Sequence, residues 1–356
     1  MRAVVYRNGE LVLGAYADPI PAAGQVLVKT RACGICGSDL HFCDHAQAFT
    51  NLASRAGIAS MEVDLCRDIV LGHEFCGEIM EFGPSADRRF KPGQLVCSLP
   101  LAIGPTGART IGYSDEYPGG LGEYMVLTEA LLLPVPNGLP ATCAALTEPM
   151  AVGWHAVEIA QVQPHHIPVV IGCGPVGLAV VAALKHKQVA PIIASDPSPD
   201  RRALALRMGA DAVVDPREES PFRQAEKIAR PVGQGGALSS SLLSKSQMIF
   251  ECVGVPGMLR HAMDGASDGS EIMVVGACMQ PDAIEPMIGM FKALTIKFSR
   301  TYTGEEFAAV LHMIGEGALD VSPLVTDVIG LSDVPSAFEA LRSPGAQAKV
   351  IVDPWR

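Results

Sequence analysis

The sequence has little positive charge. Its 356 residues include 27 Lys and Arg against 38 Asp and Glu, so the formal net charge at pH 7 is −11. Proteins that bind nucleic acids or anionic membranes need basic surfaces. The charge balance therefore argues against both classes of partner.

The sequence also lacks long apolar runs. No uninterrupted apolar stretch approaches the roughly 20 residues that a membrane-spanning helix needs. The first residues, MRAVVYRNGE, lack the apolar run that follows the basic start of a signal peptide. We therefore expect a soluble cytoplasmic protein.

The ten cysteines are not crowded into a small disulfide-rich stretch. They are spread along a chain longer than one hydrophobic core usually supports, and 49% of its residues are hydrophobic. This distribution predicts two domains with substantial cores. It also predicts reduced thiols, of which one or a few serve as metal ligands.

What the sequence does contain is a dense group of reactive side chains at 33–41, which reads Cys-Gly-Ile-Cys-Gly-Ser-Asp-Leu-His. Cys36 could ligate a metal as its thiolate, while Ser38 and His41 could pass a proton from hydroxyl to imidazole. A turn between strands that happens to hold two reduced cysteines would show the same pattern. Partners elsewhere in the chain have to decide between these interpretations.

Two later segments supply such partners. His73 and Glu74 stand side by side between a strand pattern and a glycine, where both can face one cleft, although such a pair is more often structural. Glu148 precedes Pro149 at the joint of two predicted helices, where we expect it to be exposed. It is either a residue favoured by the helix dipole or a third metal ligand.

Residues 42–70 interrupt a part of the chain that otherwise shows strand patterns up to about residue 135. The middle of this segment predicts a helix with one apolar face, made of Phe49, Leu52, Ala53 and Ala56. We expect a short helix or ordered loop whose role is surface packing. The alternative is that the segment overhangs a catalytic cleft.

The clearest motif lies in residues 167–185. A short apolar strand at 167–171 runs into a predicted helix through Gly172-Cys-Gly174-Pro175-Val176-Gly177. The glycines permit a tight turn and a close approach of the backbone to a pyrophosphate, and the helix N-terminus offers free N–H donors. The motif predicts a dinucleotide-binding site.

Asp196 ends the next predicted strand, 24 residues after Gly172. A carboxylate there accepts hydrogen bonds from the ribose 2′-hydroxyl and repels a 2′-phosphate, so NAD is expected in preference to NADP. Arg201 and Arg202 follow closely and could soften that exclusion.

Strand and helix patterns then alternate, which predicts a parallel sheet covered by helices. Gly254 and Gly276 each follow a strand of this series, where a missing side chain would let a cofactor approach the sheet edge. Residues 232–246 are rich in Gly and Ser and predict a flexible surface loop.

In this combination and order, the motifs resemble those of the zinc-dependent medium-chain dehydrogenase/reductase superfamily, the alcohol and polyol dehydrogenases. The similarity covers essentially the whole length, with matching stretches at 34–41, 72–74, 148–149, 172–177, 251–254 and 349–350. The resemblance implies an α/β fold in three parts. These are a GroES-like β-rich catalytic domain (1–150), a Rossmann domain with a doubly wound parallel sheet (151–290), and a return to the catalytic domain (291–356).

The resemblance also implies a metal site. Cys36, His73 and Glu148 correspond to the three protein ligands of one catalytic zinc, and Glu74 to a neighbour that can ligate the metal transiently. Asp39 corresponds to a residue that orients a ligand. Cys33 has no counterpart and is assigned to packing.

A second, structural zinc is expected to be absent. Members of the superfamily that have one carry four closely spaced cysteines after the strand near Val96. Here residues 97–120 contain only Cys97.

The resemblance implies that zinc lowers the pKa of a substrate hydroxyl and that hydride passes to the nicotinamide. The released proton is expected to leave through Ser38 and the cofactor ribose towards His41. Arg201 is expected at the adenosine ribose and Lys349 at the pyrophosphate, although both would otherwise be ordinary surface cations. Related enzymes associate through the Rossmann sheet edge, so we expect a homodimer or homotetramer.

Three functions stay open. The first is zinc- and NAD-dependent oxidation of a fairly apolar primary or secondary alcohol to an aldehyde or ketone, which the apolar residues of the 42–70 segment favour. The second is a polyol, sugar or amino-alcohol dehydrogenase, which Glu148-Pro149 supports. The third is an NAD-binding sensor without catalysis, against which the complete set of proposed metal ligands counts.

Overall fold

The computed structural model describes residues 1–229, 246–343 and 345–356. Residues 232–245 of the expected Gly- and Ser-rich loop therefore lie outside the described residues. The chain divides into two compact units: Met1–Glu148 with Phe307–Arg356, and Pro149–Glu306. The second boundary differs from the expected position near residue 290, because the strand at Thr295–Phe298 still joins the sheet of the second unit.

The described helices and strands are as follows, in chain order. The strands are β1 (Arg2–Arg7), β2 (Glu10–Ala15), β3 (Gln25–Gly34), β4 (Ile69–Val70), β5 (Glu74–Phe82), β6 (Leu95–Ser98), β7 (Leu101–Gly104), β8 (Gly107–Thr110), β9 (Tyr124–Thr128), β10 (Leu132–Pro134), β11 (His166–Ile171), β12 (Ile193–Ser195), β13 (Ala212–Val214), β14 (Ser246–Glu251), β15 (Glu271–Val274), β16 (Thr295–Phe298), β17 (Val325–Ile329) and β18 (Lys349–Val352). The helices are α1 (Gly37–Arg55), α2 (Ala141–Ala144), α3 (Thr147–Ala160), α4 (Pro175–His186), α5 (Pro199–Met208), α6 (Pro221–Ala229), α7 (Met258–Gly265), α8 (Pro286–Phe291), α9 (Gly304–Gly315) and α10 (Val334–Leu341). None of the described helices is long and apolar enough to cross a membrane.

The first unit is built around β3. Its main sheet has the order β10-β6-β5-β3-β18-β17, and β9 also pairs with β3. The register places Gly34 opposite both Glu74 of β5 and Ile351 of β18. The segments that follow β3, precede β5 and open β18 are therefore brought to one place, although they are far apart in the sequence.

Helix α1 is longer than the sequence suggested. It starts directly after Cys36 and runs for 19 residues, with a kink at His45 (φ −140°, ψ 33°). Its buried apolar residues are Phe42, Ala46, Phe49 and Ala53.

Only two of the four residues predicted to form the apolar face of this helix are buried. Phe49 and Ala53 are buried, but Leu52 and Ala56 are exposed. The buried apolar residues recur at 42, 46, 49 and 53, and Leu52 and Ala56 fall to one side of this stripe.

The second unit contains a six-stranded sheet with the order β13-β12-β11-β14-β15-β16, and all its pairs are parallel. Its strands are rich in β-branched residues, which suit a sheet buried on both faces. Their side chains form one core with residues of α6 and α7, among them Phe222 and Met263. This parallel sheet and the β-rich first unit confirm the predicted fold class.

Candidate metal and dinucleotide sites

Cys36, His73 and Glu74 form the centre of the candidate metal site. One ligand atom from each lies within 4.8 Å of the others, and no other His, Cys, Asp or Glu trio in the described ranges is grouped in this way. Cys36 follows β3, while His73 and Glu74 lie at the start of β5, so the register of the sheet brings them together. Thiolate, imidazole and carboxylate are ligands that zinc binds. These residues therefore fit the metal that the sequence predicts.

Asp39 orients two of these groups. One of its carboxylate oxygens accepts a hydrogen bond from the Cys36 N–H (3.0 Å), and the other lies 3.3 Å from His73 Nδ1. Burial lowers the pKa of His73, but the charges of Asp39 and Cys36 outweigh burial and hold it well above its usual range. A carboxylate opposite Nδ1 fixes the imidazole so that Nε2 is directed at a metal.

Lys349 is not placed as the sequence predicts. Its side chain is 1% exposed, and Nζ donates to both Glu74 carboxylate oxygens at 2.6 Å and to the Ile35 carbonyl at 3.1 Å. An ammonium has three donors, so none is left for a pyrophosphate. Lys349 is therefore the buried counter-charge of Glu74.

Glu148 lies outside the group of three, although the sequence names it as the third ligand. It lies in the first turn of α3 and is buried (9% exposed) rather than exposed at the helix joint. Its charge is close enough to contribute to the raised pKa of Lys349. Ligation by Glu148 thus stays a prediction.

Ser38 lies in the first turn of α1, beside the ligands. Its Oγ donates to Cys36 Sγ (3.1 Å), lies 3.5 Å from His73 Nε2, and accepts a hydrogen bond of 2.8 Å from the Tyr113 hydroxyl. His41 is one turn further along α1, where burial lowers its pKa. The proton path from Ser38 to His41 stays a prediction, because the described contacts of Ser38 lead elsewhere.

Tyr113 is the site residue that sequence reasoning missed. It lies in the stretch 97–120, where the sequence analysis considers only the absence of the four cysteines of a structural zinc site. No spacing in the sequence links a tyrosine there to Ser38, 75 residues earlier. The contact depends on tertiary packing alone.

Cys33 packs tightly beside the site. Its Sγ would lie 2.7 Å from a Cβ placed on Gly72 and 2.6 Å from one placed on Gly120, so the surrounding backbone closes around the sulfur. Burial raises the pKa of this thiol well above its usual value. These contacts support its assignment to packing.

The three glycines of the turn between β11 and α4 are each explained by a different feature of the structure. Gly172 has φ +89°, a conformation that favours glycine. A Cβ on Gly177 would lie 1.8 Å from the Gly172 carbonyl oxygen, whereas a Cβ on Gly174 would meet nothing within 4 Å. The empty space over Gly174, at the N-cap of α4, is where a pyrophosphate can approach the backbone, so the turn fits a dinucleotide.

Asp196 is held against this turn. Its carboxylate accepts hydrogen bonds from the Cys173 N–H (2.9 Å) and the Ser198 N–H (2.8 Å). Arg202 is bound to the Asp196 and Pro197 carbonyls and to the Asp215 carboxylate, so its charge is already used within the protein.

Three further residues are predicted to contact the cofactor: Gly254, Gly276 and Arg201. A Cβ on Gly276 would lie 2.3 Å from the Gly254 N, and one on Gly254 would lie 2.6 Å from the Ala277 N. The two turns after β14 and β15 thus pack backbone to backbone, which accounts for both glycines without a cofactor. Arg201 lies in the first turn of α5, and its contact with the adenosine ribose stays a prediction.

Comparison with known proteins identifies the family. Residues 175–316 match the zinc-binding dehydrogenase family, and residues 22–137 match the alcohol dehydrogenase GroES-like domain. The chain is 31% identical over 346 residues to the (R,R)-butanediol dehydrogenase of Bacillus subtilis (strain 168), covering 95% of this chain and 94% of that protein. The chain belongs to the zinc-dependent medium-chain dehydrogenase/reductase superfamily. It is an alcohol or polyol dehydrogenase that uses zinc and a nicotinamide cofactor, as the sequence predicts.

Two other members of the superfamily illustrate its range. The L-threonine 3-dehydrogenase of Rhizobium rhizogenes (strain K84) is 29% identical over 367 residues, covering 99% of this chain and 98% of that protein. The structure of a candidate zinc-binding dehydrogenase of Sinorhizobium meliloti 1021, solved with NADP, superimposes with a TM-score of 0.78 at 25% identity and covers 99% of both chains. The family therefore leaves the substrate and the choice between NAD and NADP open.

Proposed function

We propose that this protein is a zinc- and NAD-dependent dehydrogenase that interconverts a small, fairly apolar secondary alcohol and a ketone. The observation that carries the proposal is the grouping of Cys36, His73 and Glu74 within 4.8 Å of one another. Ser38, a hydroxyl able to handle a proton, lies beside two of them.

The secondary alcohol is supported by the relatives. In an (R,R)-butanediol both hydroxyls are on stereogenic carbons, and the oxidised C3 of threonine is a secondary carbinol carbon. The apolar character is supported by the 42–70 segment, whose Phe42 and Phe49 pack on Tyr113 beside the ring of His73.

For the metal, we propose Cys36 and His73 as permanent ligands with one carboxylate completing the set. Distance favours Glu74, but Lys349 already compensates the Glu74 charge. The family resemblance places an acidic third ligand at the position of Glu148, so we propose Glu148 as the permanent ligand and Glu74 as the transient one. The charges of both carboxylates help to raise the pKa of Lys349, so substitutions at the two positions can be compared directly.

The metal assignment predicts about one zinc per chain, as one open tetrahedral site requires. Glu148→Gln should lower the zinc content measured by elemental analysis more than Glu74→Gln does. The reverse order would assign permanent ligation to Glu74, and two zinc ions per chain would contradict the single site.

In the reaction, bound zinc would supply a Lewis acid for the substrate hydroxyl and bound NAD would supply the hydride acceptor. Ser38 Oγ takes up the proton that leaves the substrate hydroxyl and passes its own proton on, with His41 as the proposed receiver one turn along α1. Asp39 keeps the His73 ring oriented during the reaction, because its carboxylate lies 3.3 Å from His73 Nδ1 and accepts a hydrogen bond from the Cys36 N–H.

The central test is Cys36→Ser. We expect turnover to be abolished while NAD binding, measured by fluorescence or calorimetry, is retained. Persistent activity in the variant would contradict the zinc mechanism. A wild-type protein that holds zinc and NAD but turns over no alcohol would favour the sensor alternative.

For the cofactor, we propose NAD because the Asp196 carboxylate repels a 2′-phosphate and the nearby Arg202 is already paired with the Asp215 carboxylate. The ratio of kcat/KM for NAD to that for NADP should exceed one, and Asp196→Ala should lower it. A wild-type preference for NADP would contradict this assignment.

A polyol, sugar or amino-alcohol substrate is the second candidate, because relatives act on a diol and on threonine. A screen of aliphatic, aromatic, terpenoid and polyol alcohols with NAD separates the two. Higher kcat/KM for polyols than for monohydroxy alcohols would favour the second candidate.

We also propose a homodimer or homotetramer in a reducing, cytoplasmic setting. The support for association is that β16 forms an edge of the described six-stranded sheet and that Phe298, Phe291 and Met290 are 68%, 75% and 73% exposed. The support for the compartment is that all ten cysteines are free thiols.

A further inference from the structure

Tyr113 is a buried residue to which the proposed reaction has so far given no role. It is 4% exposed, and its hydroxyl donates to Ser38 Oγ at 2.8 Å. Ser38 Oγ donates in turn to Cys36 Sγ at 3.1 Å. The phenol is thus the first donor of a chain of O–H groups that ends at a proposed metal ligand.

The ring of Tyr113 is fixed by three neighbouring rings. Its centroid lies 5.4 Å from that of Phe42, 5.0 Å from that of Phe49 and 5.1 Å from that of His73. Phe42 and Phe49 belong to α1, in the segment 42–70 whose role the sequence left open. The segment therefore forms part of the wall that holds the phenol beside the site.

The backbone around Tyr113 is fixed as well. Gly112 has φ +88°, and a Cβ there would lie 3.0 Å from the Gly72 carbonyl carbon, so the residue before Tyr113 packs against the residue before His73. After Tyr113, the Ser114 hydroxyl accepts hydrogen bonds from the backbone N–H groups of Glu116 (3.0 Å) and Tyr117 (3.2 Å). Both sides of the loop thus hold Tyr113 in one position.

The Tyr113 hydroxyl is the donor in its contact with Ser38 Oγ, so the phenol proton lies between the two oxygens.

We propose that Tyr113 is a positioning residue that orients and polarises the Ser38 hydroxyl towards the reacting oxygen of the substrate. The inference rests on the proposed function, in which Ser38 handles the substrate proton. A serine hydroxyl has one proton and two acceptor lone pairs. Tyr113 occupies one lone pair and the Ser38 proton is directed at Cys36 Sγ, which leaves the second lone pair to accept the proton of the substrate hydroxyl. Hydrogen bonds in a chain polarise one another, so the phenol also makes Ser38 release its own proton more readily as Oγ takes up that of the substrate.

The test is Tyr113→Phe in the zinc-loaded full chain, assayed with NAD and 2,3-butanediol or, where another alcohol is turned over faster in the screen, with that alcohol. The change keeps the ring packing and removes one O–H. We expect kcat to fall about fivefold to tenfold, the factor that one net hydrogen bond contributes. The zinc content and the KM for NAD should stay unchanged, and the Tm should fall by no more than the few degrees that the loss of about 1 kcal/mol produces.

Tyr6→Phe is the matched control. Tyr6 belongs to the same aromatic cluster, with its ring 5.4 Å from that of Phe42, but it does not bond to Ser38. Its kcat should equal that of the wild type. Loss of zinc in Tyr113→Phe but not in Tyr6→Phe would assign Tyr113 a structural role through His73 and would overturn the inference.

A second measurement tests whether Tyr113 acts through Ser38. In a Ser38→Ala background, Tyr113→Phe should change kcat by less than about twofold, because coupled residues are not additive. Losses that multiply would overturn the inference. If Ser38→Ala is slow but Tyr113→Phe is fully active, the inference fails and the proposed function stands; if Ser38→Ala is fully active, the Ser38 role fails and the inference fails with it.

Discussion

Lys349 constrains the candidate site through a single buried contact. Its ammonium and the Glu74 carboxylate are both essentially inaccessible, with side-chain exposures of 1% and 0%. Burial lowers the pKa of Lys349, but the Glu74 charge outweighs burial, and the pKa is raised. Two charges removed from water in this way depend on each other, because either one alone would be buried without compensation.

Lys349→Met should therefore be strongly destabilising. Removing one partner of a buried pair typically costs about 3–5 kcal/mol of the free energy of unfolding, which urea denaturation can measure. The double variant Lys349→Met with Glu74→Gln should recover part of the loss, because no uncompensated carboxylate remains. Equal stability of the single and double variants would show that the Glu74 charge is not what makes Lys349 necessary.

At the residue scale, the sequence identified the groups that belong to contiguous motifs. Cys36, His73 and the glycine turn all stand in short recognisable stretches, and the structure brings Cys36 and His73 together. The partner of Lys349 and the whole role of Tyr113 could not be predicted. Both depend on contacts between residues 275 and 75 positions apart, which no local pattern encodes.

Among the elements, α1 combines a local and a tertiary function. Its first turn carries Ser38 and Asp39, and its later turns bury Phe42 and Phe49 next to Tyr113. Helix α1 thus supplies two polar side chains of the candidate site, Ser38 and Asp39. It also supplies two of the aromatic rings that pack against Tyr113.

Phe49→Ala should destabilise the protein and loosen this wall. A buried Phe→Ala change typically costs about 3–5 kcal/mol. Leu52→Ala is the matched control in the same helix, because Leu52 is 39% exposed, and it should cost less than about 0.5 kcal/mol. Thermal or urea unfolding checks both, and a similar loss in the two variants would contradict the buried stripe described above.

In the strand-turn-helix element of β11 and α4, two glycine substitutions separate the effect on stability from the effect on NAD binding. Gly177→Ala should cost about 1–3 kcal/mol of stability, as overpacking does, since its Cβ would lie 1.8 Å from the Gly172 carbonyl oxygen. Gly174→Ala should leave the Tm unchanged, because its φ of −70° suits alanine and the space is open. It should nevertheless weaken NAD binding in calorimetry. Unchanged NAD affinity in Gly174→Ala would contradict the approach of the pyrophosphate at this residue.

The hydrophobic periodicity of the sequence predicted which helices and strands exist more accurately than it predicted their bounds and buried faces. The strand predicted at 167–171 exists as β11, but it starts one residue earlier. The buried face of α1 was predicted only in part, because it also includes Phe42 and Ala46, which precede the predicted face.

At the scale of the whole molecule, the exposed apolar residues of β16 and α8 need a partner in the proposed oligomer. Phe298→Asp should shift the chain towards monomers in light scattering after size exclusion. Ile20→Asp is the control in the other unit, because Ile20 is 86% exposed and should leave the mass unchanged. A wild-type monomer, or an unchanged oligomer in Phe298→Asp, would contradict association through this edge.

The sequence by itself determined the family, the two folds and the chemistry of the ligands. These properties are written in short segments, where hydrophobic period, glycine positions and ligand types act locally. The tertiary structure alone decided that the strand at residues 295–298 belongs to the second unit, that Lys349 neutralises Glu74 and that Tyr113 reaches Ser38. The physical reason is that such contacts arise from strand register and side-chain packing between distant segments, and both are properties of the folded chain as a whole.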